Sequence, residues 1–245
     1  MLVITLLGCT QKSESCPILF SHRGDSKYFI EHTFASYDSA IKKGSKYIEQ
    51  DLVLSKDGTL YISHDMDAKR ITGVDQDYAQ MSDKQINRLR TKNHEPIHTL
   101  ASVFERYKNT VNYVPEIRPE KGQVDAFIKL VKEFGLEDHI IVQVRNLEQA
   151  EEIKKVFSRM QVLYLAFDSH EYQEALRSPF INIICLNKQC MSCHLISEIH
   201  KKNKKVAYWT LDSPKEIEKA MKSNCDYIFT DDTGMGIQTI DKLKD

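Results

Sequence analysis

The sequence has no long apolar run and no excess of charge of either sign. No stretch of its 245 residues approaches the ~18 consecutive apolar residues that a membrane-spanning helix requires. Lysine and arginine together number 34, and aspartate and glutamate 35, which gives a net charge of −1. A protein that binds nucleic acid usually shows a basic patch or a high isoelectric point, so this balance argues against a nucleic-acid partner.

The sequence also lacks internal repeats, low-complexity tracts and a G-x-G-x-x-G fingerprint after a predicted strand. The missing fingerprint removes the main support for a doubly wound sheet that binds a dinucleotide. The chain is long enough to bury a single core, and α/β barrels of about 250 residues fold as one domain.

Residues 1–16 differ in composition from the rest of the chain. An apolar stretch ends in Leu6-Leu7-Gly8-Cys9, and a polar stretch follows it. This order resembles the lipobox of bacterial lipoproteins, although no Lys or Arg precedes the apolar stretch and its length is at the short limit for a signal peptide. Two interpretations stand: an exported protein attached to the membrane through lipidated Cys9, or a cytoplasmic protein with a disordered or strand-forming N-terminus.

Six cysteines are present, and two of them stand in a C-x-x-C-H pattern at residues 190–194. That pattern is typical of covalent haem attachment, but so short a motif recurs by chance, and here it opens a predicted amphipathic helix. The alternatives are a disulfide between Cys190 and Cys193, or buried and unreactive thiols.

Short β-rich runs alternate with helical patterns along the rest of the chain. We predict eight barrel strands, in the runs CPILFSH, KYIEQDLVL, VNYVPEI, HIIVQV, QVLYLAF, INIICL, KVAYWTL and CDYIFTDD. Strands that alternate with helices form a parallel sheet. Eight such units in about 250 residues favour a TIM (β/α)8 barrel over an open doubly wound sheet.

A further β-rich run, TLYISHD, follows the second strand after the turn signal Asp57-Gly58. A tight turn makes the strands that it joins antiparallel, so this run forms a β-hairpin with the second strand and returns His64 to the barrel rim. The next residues, about 66–98, are polar and irregular, and we predict a short insertion there with a helix over SDKQINRLR. The barrel domain is predicted to span residues 17–245.

Charged residues lie among apolar residues at the ends of several of these elements. Glu49 and Asp51 are two apart on the second strand, as are Glu116 and Arg118 on the third, so each pair shares one face. Barrel enzymes keep their active sites at the carboxyl ends of the strands. The charged set at that rim is His22, Arg23, Glu49, Asp51, His64, Asp65, Glu116 and Arg118.

These side chains together suggest cleavage of a phosphate ester. Three converging carboxylates repel one another and favour a hard divalent cation, Ca²⁺ or Mg²⁺. Two guanidinium groups match the oxygens of a phosphate, and two histidines supply an acid and a base. Taken singly, each group has a structural alternative: a solvated strand face for the carboxylates, or a hydrogen-bonded structural role for either histidine.

The order of these motifs resembles the signature of the glycerophosphodiester phosphodiesterase family. That pattern runs His-Arg-Gly, Glu-Asn-Thr, Glu-x-Asp, an Asp-Gly turn and His-Asp, and this chain follows it with His in place of Asn. The likeness continues through KRITG, MSDKQINRLR, PIHTLASVF, PEIRP, VAYWTLD and DYIFTDD, and it covers residues 17–232. Each motif alone is weak, but all of them in order are highly specific.

The resemblance implies three roles for the charged residues at the rim. The cation ligands would be Glu49, Asp51 and Glu116, the acid/base pair His22 and His64, and the phosphate-binding residue Arg23. The family is similar to the phosphatidylinositol-specific phospholipases C, which implies a two-step reaction. One histidine helps a neighbouring hydroxyl of the substrate attack phosphorus, the other protonates the leaving alcohol, and water then opens the cyclic phosphate.

Three positions depart from the family pattern. His32 stands where the family has Asn: a left-handed backbone would tolerate the change, whereas a contact with metal or substrate would alter the site. Arg118 replaces a Lys and either grips the phosphate bidentately or only pairs with Glu116. Arg145 would add phosphate affinity or narrow the pocket. Trp209, the only tryptophan, belongs either to the core or to a platform for the substrate.

The resemblance implies a metal-dependent phosphodiesterase that converts glycerophosphodiesters into glycerol 3-phosphate and an alcohol. Lysophospholipase D activity, in which the substrate retains an acyl chain, is an alternative that the sequence does not separate. A non-catalytic barrel that binds phosphorylated ligands is a further alternative. The changes at His32 and Arg118 favour it, and the intact acid/base and carboxylate motifs argue against it.

Overall fold

Parallel strands form the closed wall of a barrel in the computed structural model, which describes residues 16–244. The strands are β1 (Ile18–Ser21), β2 (Tyr47–Leu54), β3 (Leu60–Ile62), β4 (Asn112–Ile117), β5 (Ile141–Val144), β6 (Gln161–Leu165), β7 (Ile183–Asn187), β8 (Lys205–Trp209) and β9 (Tyr227–Thr230). All except β3 pair in parallel, and β1 closes the wall because it pairs with both β9 and β2. The predicted eight-stranded TIM barrel is confirmed.

Helices surround the wall and connect its strands. They are α1 (Phe34–Lys42), α2 (Lys69–Thr72), α3 (Asp83–Ile86), α4 (Leu100–Tyr107), α5 (Gln123–Phe134), α6 (Leu147–Val156), α7 (Ser169–Arg177), α8 (Cys193–Lys201), α9 (Pro214–Lys222) and α10 (Thr233–Lys244), with short 3₁₀ helices at Tyr78–Gln80, Glu137–His139 and Lys188–Cys190. Polar residues begin many of them. Thr33, Asn146 and Asp168 each accept a hydrogen bond from the backbone N–H three residues on, which satisfies a donor at the helix start.

The core has two layers because neighbouring residues of a strand point to opposite sides of the wall. Inside the barrel, the ring of Phe20 stacks on Tyr227 and meets Phe229 edge-on, with ring centroids 5.0 Å apart in both pairs. Leu19 and Ile228, the chain neighbours of those residues, are buried in the second layer with side chains of the surrounding helices. The barrel interior is therefore packed, and the site lies at its rim.

The predicted hairpin after the second strand is confirmed. β3 pairs antiparallel with β2, and Leu54 lies opposite Leu60 in the register. The insertion that follows packs on the outer side of this hairpin through a separate apolar cluster, in which Tyr61 contacts residues around Tyr78 and Ile86. The hairpin and the insertion therefore pack together next to β2.

The helix predicted over residues 82–90 is wrong in length, because α3 contains a single turn. Ser82 and Gln85 form a capping box that begins this turn. Ile86 is the only buried residue of α3, and the chain leaves the helix to bring Leu89 into the same apolar cluster.

The cysteines of the C-x-x-C-H pattern are free and exposed, so the predictions of a disulfide or of buried thiols are wrong for this pair. Cys190 ends a 3₁₀ helix and Cys193 begins α8, on opposite sides of the helix-capping residue Ser192. The lipobox-like segment with Cys9 lies outside the described residues. Among the helices that the structure describes, none combines the length and the apolar character needed to cross a membrane.

Candidate active site

One pocket at the carboxyl ends of the strands is lined by every residue of the predicted site except Asp65, which contacts His64 from behind it. Its volume is about 150 Å³. The predicted residues that line it are His22, Arg23, Glu49, Asp51, His64, Glu116, Arg118 and Trp209. The strand register explains part of this convergence, because Asp51 on β2 lies opposite Glu116 on β4, and Glu116 lies opposite Gln143 on β5.

The His-Arg-Gly triplet forms a tight turn directly after β1. Arg23 has a φ of 58° and Gly24 a φ of 91°, both in the left-handed region. A Cβ atom on Gly24 would lie 2.4 Å from the Ser36 hydroxyl oxygen, so both the backbone angle and the available space require glycine. The turn points the backbone N–H of Arg23 at Glu49, whose carboxylate accepts it at 2.8 Å.

His22 is held by Asp231, a residue that the sequence analysis did not assign to the site. The Nδ1 atom of His22 lies 2.6 Å from Asp231 Oδ1, which also accepts a hydrogen bond from the Ser26 hydroxyl. Burial alone would raise the pKa of Asp231, but the contacts with His22 and Ser26 outweigh it and lower that pKa. Because a carboxylate only accepts, Nδ1 carries the proton, and Nε2 is the nitrogen that exchanges protons with a ligand.

His64 has the same arrangement with its own chain neighbour. Its Nδ1 lies 2.8 Å from Asp65 Oδ1, so this imidazole also presents Nε2 for proton exchange. The side chain of His64 is 43% exposed, compared with 17% for His22, so His64 is the more accessible of the two.

Arg70 of the insertion connects the segment after the β1 turn with the end of the hairpin. Its guanidinium contacts the Asp65 carboxylate through Nε and binds Glu31 with two parallel hydrogen bonds of 2.9 and 2.8 Å. Glu31 in turn lies 3.5 Å from the guanidinium of Arg23. A single side chain of the insertion therefore connects the His64–Asp65 pair with the predicted phosphate-binding arginine.

The predicted cation ligands form a buried acidic cluster, and the pKa values of its members are shifted in opposite directions. Burial raises the pKa of Glu49 well above its ordinary value, and the charge of Asp51 adds to the rise. Burial raises the pKa of Glu116 to about 7, again with a contribution from Asp51. Asp51 itself has a lowered pKa: burial acts against ionisation, but contacts with His32 and the nearby arginines outweigh it. Such a cluster of carboxylate oxygens fits a hard divalent cation.

His32 joins this cluster, and its backbone has the left-handed conformation that the first sequence alternative required. Its φ is 61°, so the backbone is left-handed as the replaced Asn would allow. Its Nε2 lies 3.0 Å from Asp51 Oδ2, and its Nδ1 lies 2.9 Å from the Tyr37 hydroxyl. The potential ligand atoms of His32, Glu49 and Asp51 lie within 4.8 Å of one another.

Glu116 is not a member of that three-residue group. One of its carboxylate oxygens accepts a hydrogen bond of 2.6 Å from the Gln143 side chain. The other lies 3.8 Å from both Arg118 and Arg145. Arg118 also donates to Asp51 at 3.3 Å, so it does more than pair with Glu116, and the sequence alternative of a simple Arg118–Glu116 pair is too narrow.

Aromatic side chains line the other side of the pocket. Trp209 at the end of β8 is partly buried and meets Phe167 edge-on, with ring centroids 5.9 Å apart. The indole N–H of Trp209 has no hydrogen-bond partner among the described residues. Cys185 on β7 also lines the pocket, and burial raises the pKa of its thiol well above the ordinary value, which makes it a poor nucleophile.

Comparisons with known proteins agree on one family. The sequence profile of the glycerophosphoryl diester phosphodiesterase family matches residues 22–235. A glycerophosphodiester phosphodiesterase of Caldanaerobacter subterraneus subsp. tengcongensis is 27% identical over 237 residues, which cover 88% of this chain and 94% of that protein. Human lysophospholipase D GDPD1 is 27% identical over 174 residues, which cover 65% of this chain and 55% of that protein.

The same agreement appears among solved structures. The structure of an Oleispira antarctica phosphodiesterase in complex with the product sn-glycerol-3-phosphate superposes with a TM-score of 0.84. It is 22% identical to this chain, and the match covers 92% of this chain and 97% of that one. At this level of identity, the superposition establishes the shared fold.

Proposed function

Since this chain belongs to the glycerophosphoryl diester phosphodiesterase family and is a phosphodiesterase, we propose that it hydrolyses glycerophosphodiesters to glycerol 3-phosphate and an alcohol. The observation that carries the proposal is the presence of two imidazole–carboxylate pairs in one pocket. His22 is paired with Asp231 and His64 with Asp65, and both imidazoles line the pocket that holds the buried acidic cluster.

Proton transfer is the role of the two histidines in this proposal. One Nε2 takes the proton of the substrate's neighbouring hydroxyl while that oxygen attacks phosphorus. The other imidazole, in its protonated form, gives a proton to the leaving alcohol oxygen as the P–O bond breaks. Water then attacks the cyclic phosphate with the roles reversed, which gives glycerol 3-phosphate and restores both histidines.

Arginines hold the phosphate in the proposed complex. Arg23 and Arg118 both line the pocket, and both contact Asp51 through their guanidinium groups. A guanidinium presents several N–H donors in a plane that matches phosphate oxygens. Trp209 lines the pocket beside Phe167, which supports its assignment as a platform for the substrate.

A divalent cation would be held by Glu49, Asp51 and Glu116, with His32 next to them. When bound, it would stabilise negative charge on the phosphoryl oxygens. Burial, with a contribution from the charge of Asp51, raises the pKa of Glu49 and Glu116, and this supports the assignment because a bound cation would favour their ionised forms. Carboxylate oxygens favour Ca²⁺ or Mg²⁺, and the choice between them is open to direct measurement.

Turnover of glycerophosphocholine and glycerophosphoethanolamine tests the proposal. We expect activity with Ca²⁺ or Mg²⁺, loss of activity after exhaustive dialysis against chelator, and recovery when the cation returns. The Glu49→Gln variant should lose both cation binding, measured by calorimetry, and turnover. Glu152→Gln, an exposed glutamate on α6, is the matched control. Full activity of protein that metal analysis shows to be free of cation would refute the metal dependence.

A lysophospholipase D activity is the second candidate, because two exposed apolar side chains stand at the pocket. Phe167 lines the pocket and is 52% exposed, and Met66 is 39% exposed with its sulfur 3.2 Å from Arg118. An acyl chain could lie on this surface. Higher kcat/KM for lysophosphatidylcholine than for glycerophosphocholine would favour this candidate, and the reverse order would favour the first.

The location of the protein is a separate proposal that depends on the N-terminal segment. We propose export with a lipid anchor at Cys9, supported by the lipobox-like sequence. Mass spectrometry of protein from its native cell should then show Cys9 as a modified N-terminal residue. An unmodified Met1 on that protein would count against export.

A further inference from the structure

Arg145 is the single charged side chain that β5 to β8 contribute to the pocket within the described part of the chain. It directly follows β5, where its backbone N–H donates to the Gln149 side chain. Its side chain is 36% exposed, compared with 14% for Arg118, so it lies nearer the mouth of the pocket than Arg118 does. The acid/base pairs and the acidic cluster lie on the other strands, which leaves this position to contact substrate groups away from the reacting phosphate.

The charge of Arg145 is only weakly compensated. Its carboxylate partner among the described residues is Glu116, at 3.8 Å, which is a long ion pair. Glu116 is shared with Arg118 at the same distance, and it also belongs to the proposed cation ligands. The positive field of Arg145 is therefore available to a ligand at the mouth of the pocket.

Arg145 also covers the aromatic surface that a cationic group would need. Its guanidinium carbon lies 4.2 Å from the centre of the Phe167 ring, which places it over the ring face. Quaternary ammonium groups are bound in proteins by open aromatic faces. With Arg145 on Phe167, that face is occupied by a cation already, and a second cation would be repelled.

We propose that Arg145 is a specificity-determining residue that favours glycerophosphodiesters with an anionic alcohol over those with a cationic alcohol such as choline. This inference rests on the proposed function and names the substrate class within it. The glycerol part is uncharged in every such diester, so the charge of the alcohol is what a guanidinium at the mouth can discriminate. Charges separated by a pocket's width in a partly solvated site change relative rates by about tenfold.

The test compares two diesters, glycerophosphocholine and glycerophosphoinositol 4-phosphate, by kcat/KM with the wild type and Arg145→Gln. Their leaving alcohols differ in intrinsic reactivity, so the measured quantity is the change in the ratio between variant and wild type. We expect Arg145→Gln to shift the ratio toward choline by about tenfold, mostly through KM, and Arg145→Lys to shift it less. Arg159→Gln, with an 84% exposed side chain, should leave the ratio unchanged.

A salt series on the wild type gives a second readout that needs no variant. Electrostatic selection should weaken as ionic strength rises, because the screening length is about 10 Å at 0.1 M salt. The inference is overturned if Arg145→Gln changes both diesters by the same factor, or if the wild-type ratio does not respond to salt. If the wild type hydrolyses neither these nor other glycerophosphodiesters with any divalent cation, the proposed function itself is wrong.

Discussion

The two halves of the barrel rim differ in the chemistry that they present to the pocket. The half formed by β1, β2 with its hairpin, β4 and β9, here termed the catalytic half, carries both imidazole–carboxylate pairs and the acidic cluster. The half formed by β5 to β8, here termed the binding half, presents Gln143, Leu165, Phe167, Cys185 and Trp209, and Arg145 is its one charged residue at the pocket within residues 16–244. In the proposed reaction, the first half transfers protons and the second half recognises the outer groups of the substrate.

The two halves also differ in the energetic cost of burying their side chains. The catalytic half holds buried carboxylates, and burial together with the charge of Asp51 raises the pKa of Glu49. Buried like charges destabilise the fold unless a partner compensates them. The binding half consists mainly of apolar and amide groups, which are stable when packed. Substitutions in the catalytic half should therefore change kcat or stability, and those in the binding half should change KM and selectivity.

The largest expected effect is loss of either histidine. His22→Ala or His64→Ala should lower kcat by about 10²–10⁴, with a smaller effect on KM, because each removes a proton-transfer group. The double variant should be little worse than the poorer single variant, since the two act as one unit. His170→Ala, on the exposed surface of α7, is the control. Near-normal turnover of both single variants would assign the histidines a structural role.

The second effect concerns folding of the metal-free protein. The pKa of Glu116 is raised from an ordinary 4.5 to about 7, so the folded state binds this proton more tightly, and stability falls as pH rises from 4.5 to about 7. Relative to the wild type, Glu116→Gln should become more stable by up to about 3 kcal/mol between pH 4.5 and pH 8. Urea unfolding in chelator measures it, with Glu152→Gln as control. A stability difference that does not change with pH would contradict the account.

Arg70 tests whether the insertion supports the catalytic half. Arg70→Met removes the contacts with both Glu31 and Asp65 and should lower kcat by about 10–100-fold, because His64 and Arg23 lose their fixed positions. Arg70→Lys should recover part of the loss, and the variant's pH–rate profile should shift because Asp65 loses its cationic partner. Lys69→Met, on the same short helix, is the control. If the pH–rate profile of Arg70→Met is unchanged and its loss of activity is matched by a loss of stability, Arg70 has only a structural role.

Trp209 tests the binding half and carries the smallest expected effect. Trp209→Ala should raise KM by about 3–10-fold and leave kcat nearly unchanged, because the indole contacts the substrate away from the reacting atoms. Trp209→Phe keeps an aromatic ring, so its KM should lie between those of the wild type and Trp209→Ala. If kcat falls as far as in His22→Ala, the division of the rim into two halves does not hold.

The sequence predicted the barrel because its signals are local. Eight β-rich runs alternate with helical patterns, and the Asp57-Gly58 turn determines the hairpin. Charged residues at strand ends also predicted which side chains share the pocket, since parallel strands bring their carboxyl ends to one rim.

The sequence did not predict the contacts between loops that are far apart in the chain. Asp231 reaches His22 only because β9 closes the barrel against β1, 209 positions away in the chain. The one sequence feature that pointed to Asp231 was the Asp231-Asp232 pair at the end of the last predicted strand. Arg70 was placed in the insertion, but its link between Glu31 and Asp65 depends on how the insertion packs on the hairpin, and residue pattern alone does not specify that packing.

The division of labour between His22 and His64 is the central claim, and leaving-group dependence tests it most directly. A nitrophenyl ester of glycerol phosphate needs no proton on its departing oxygen, so kcat of His22→Ala and His64→Ala should be measured on this ester and on glycerophosphocholine. We predict that the ester restores most of the activity of the variant that lacks the acid and none of that which lacks the base. Rescue of neither variant, or of both equally, would contradict the account.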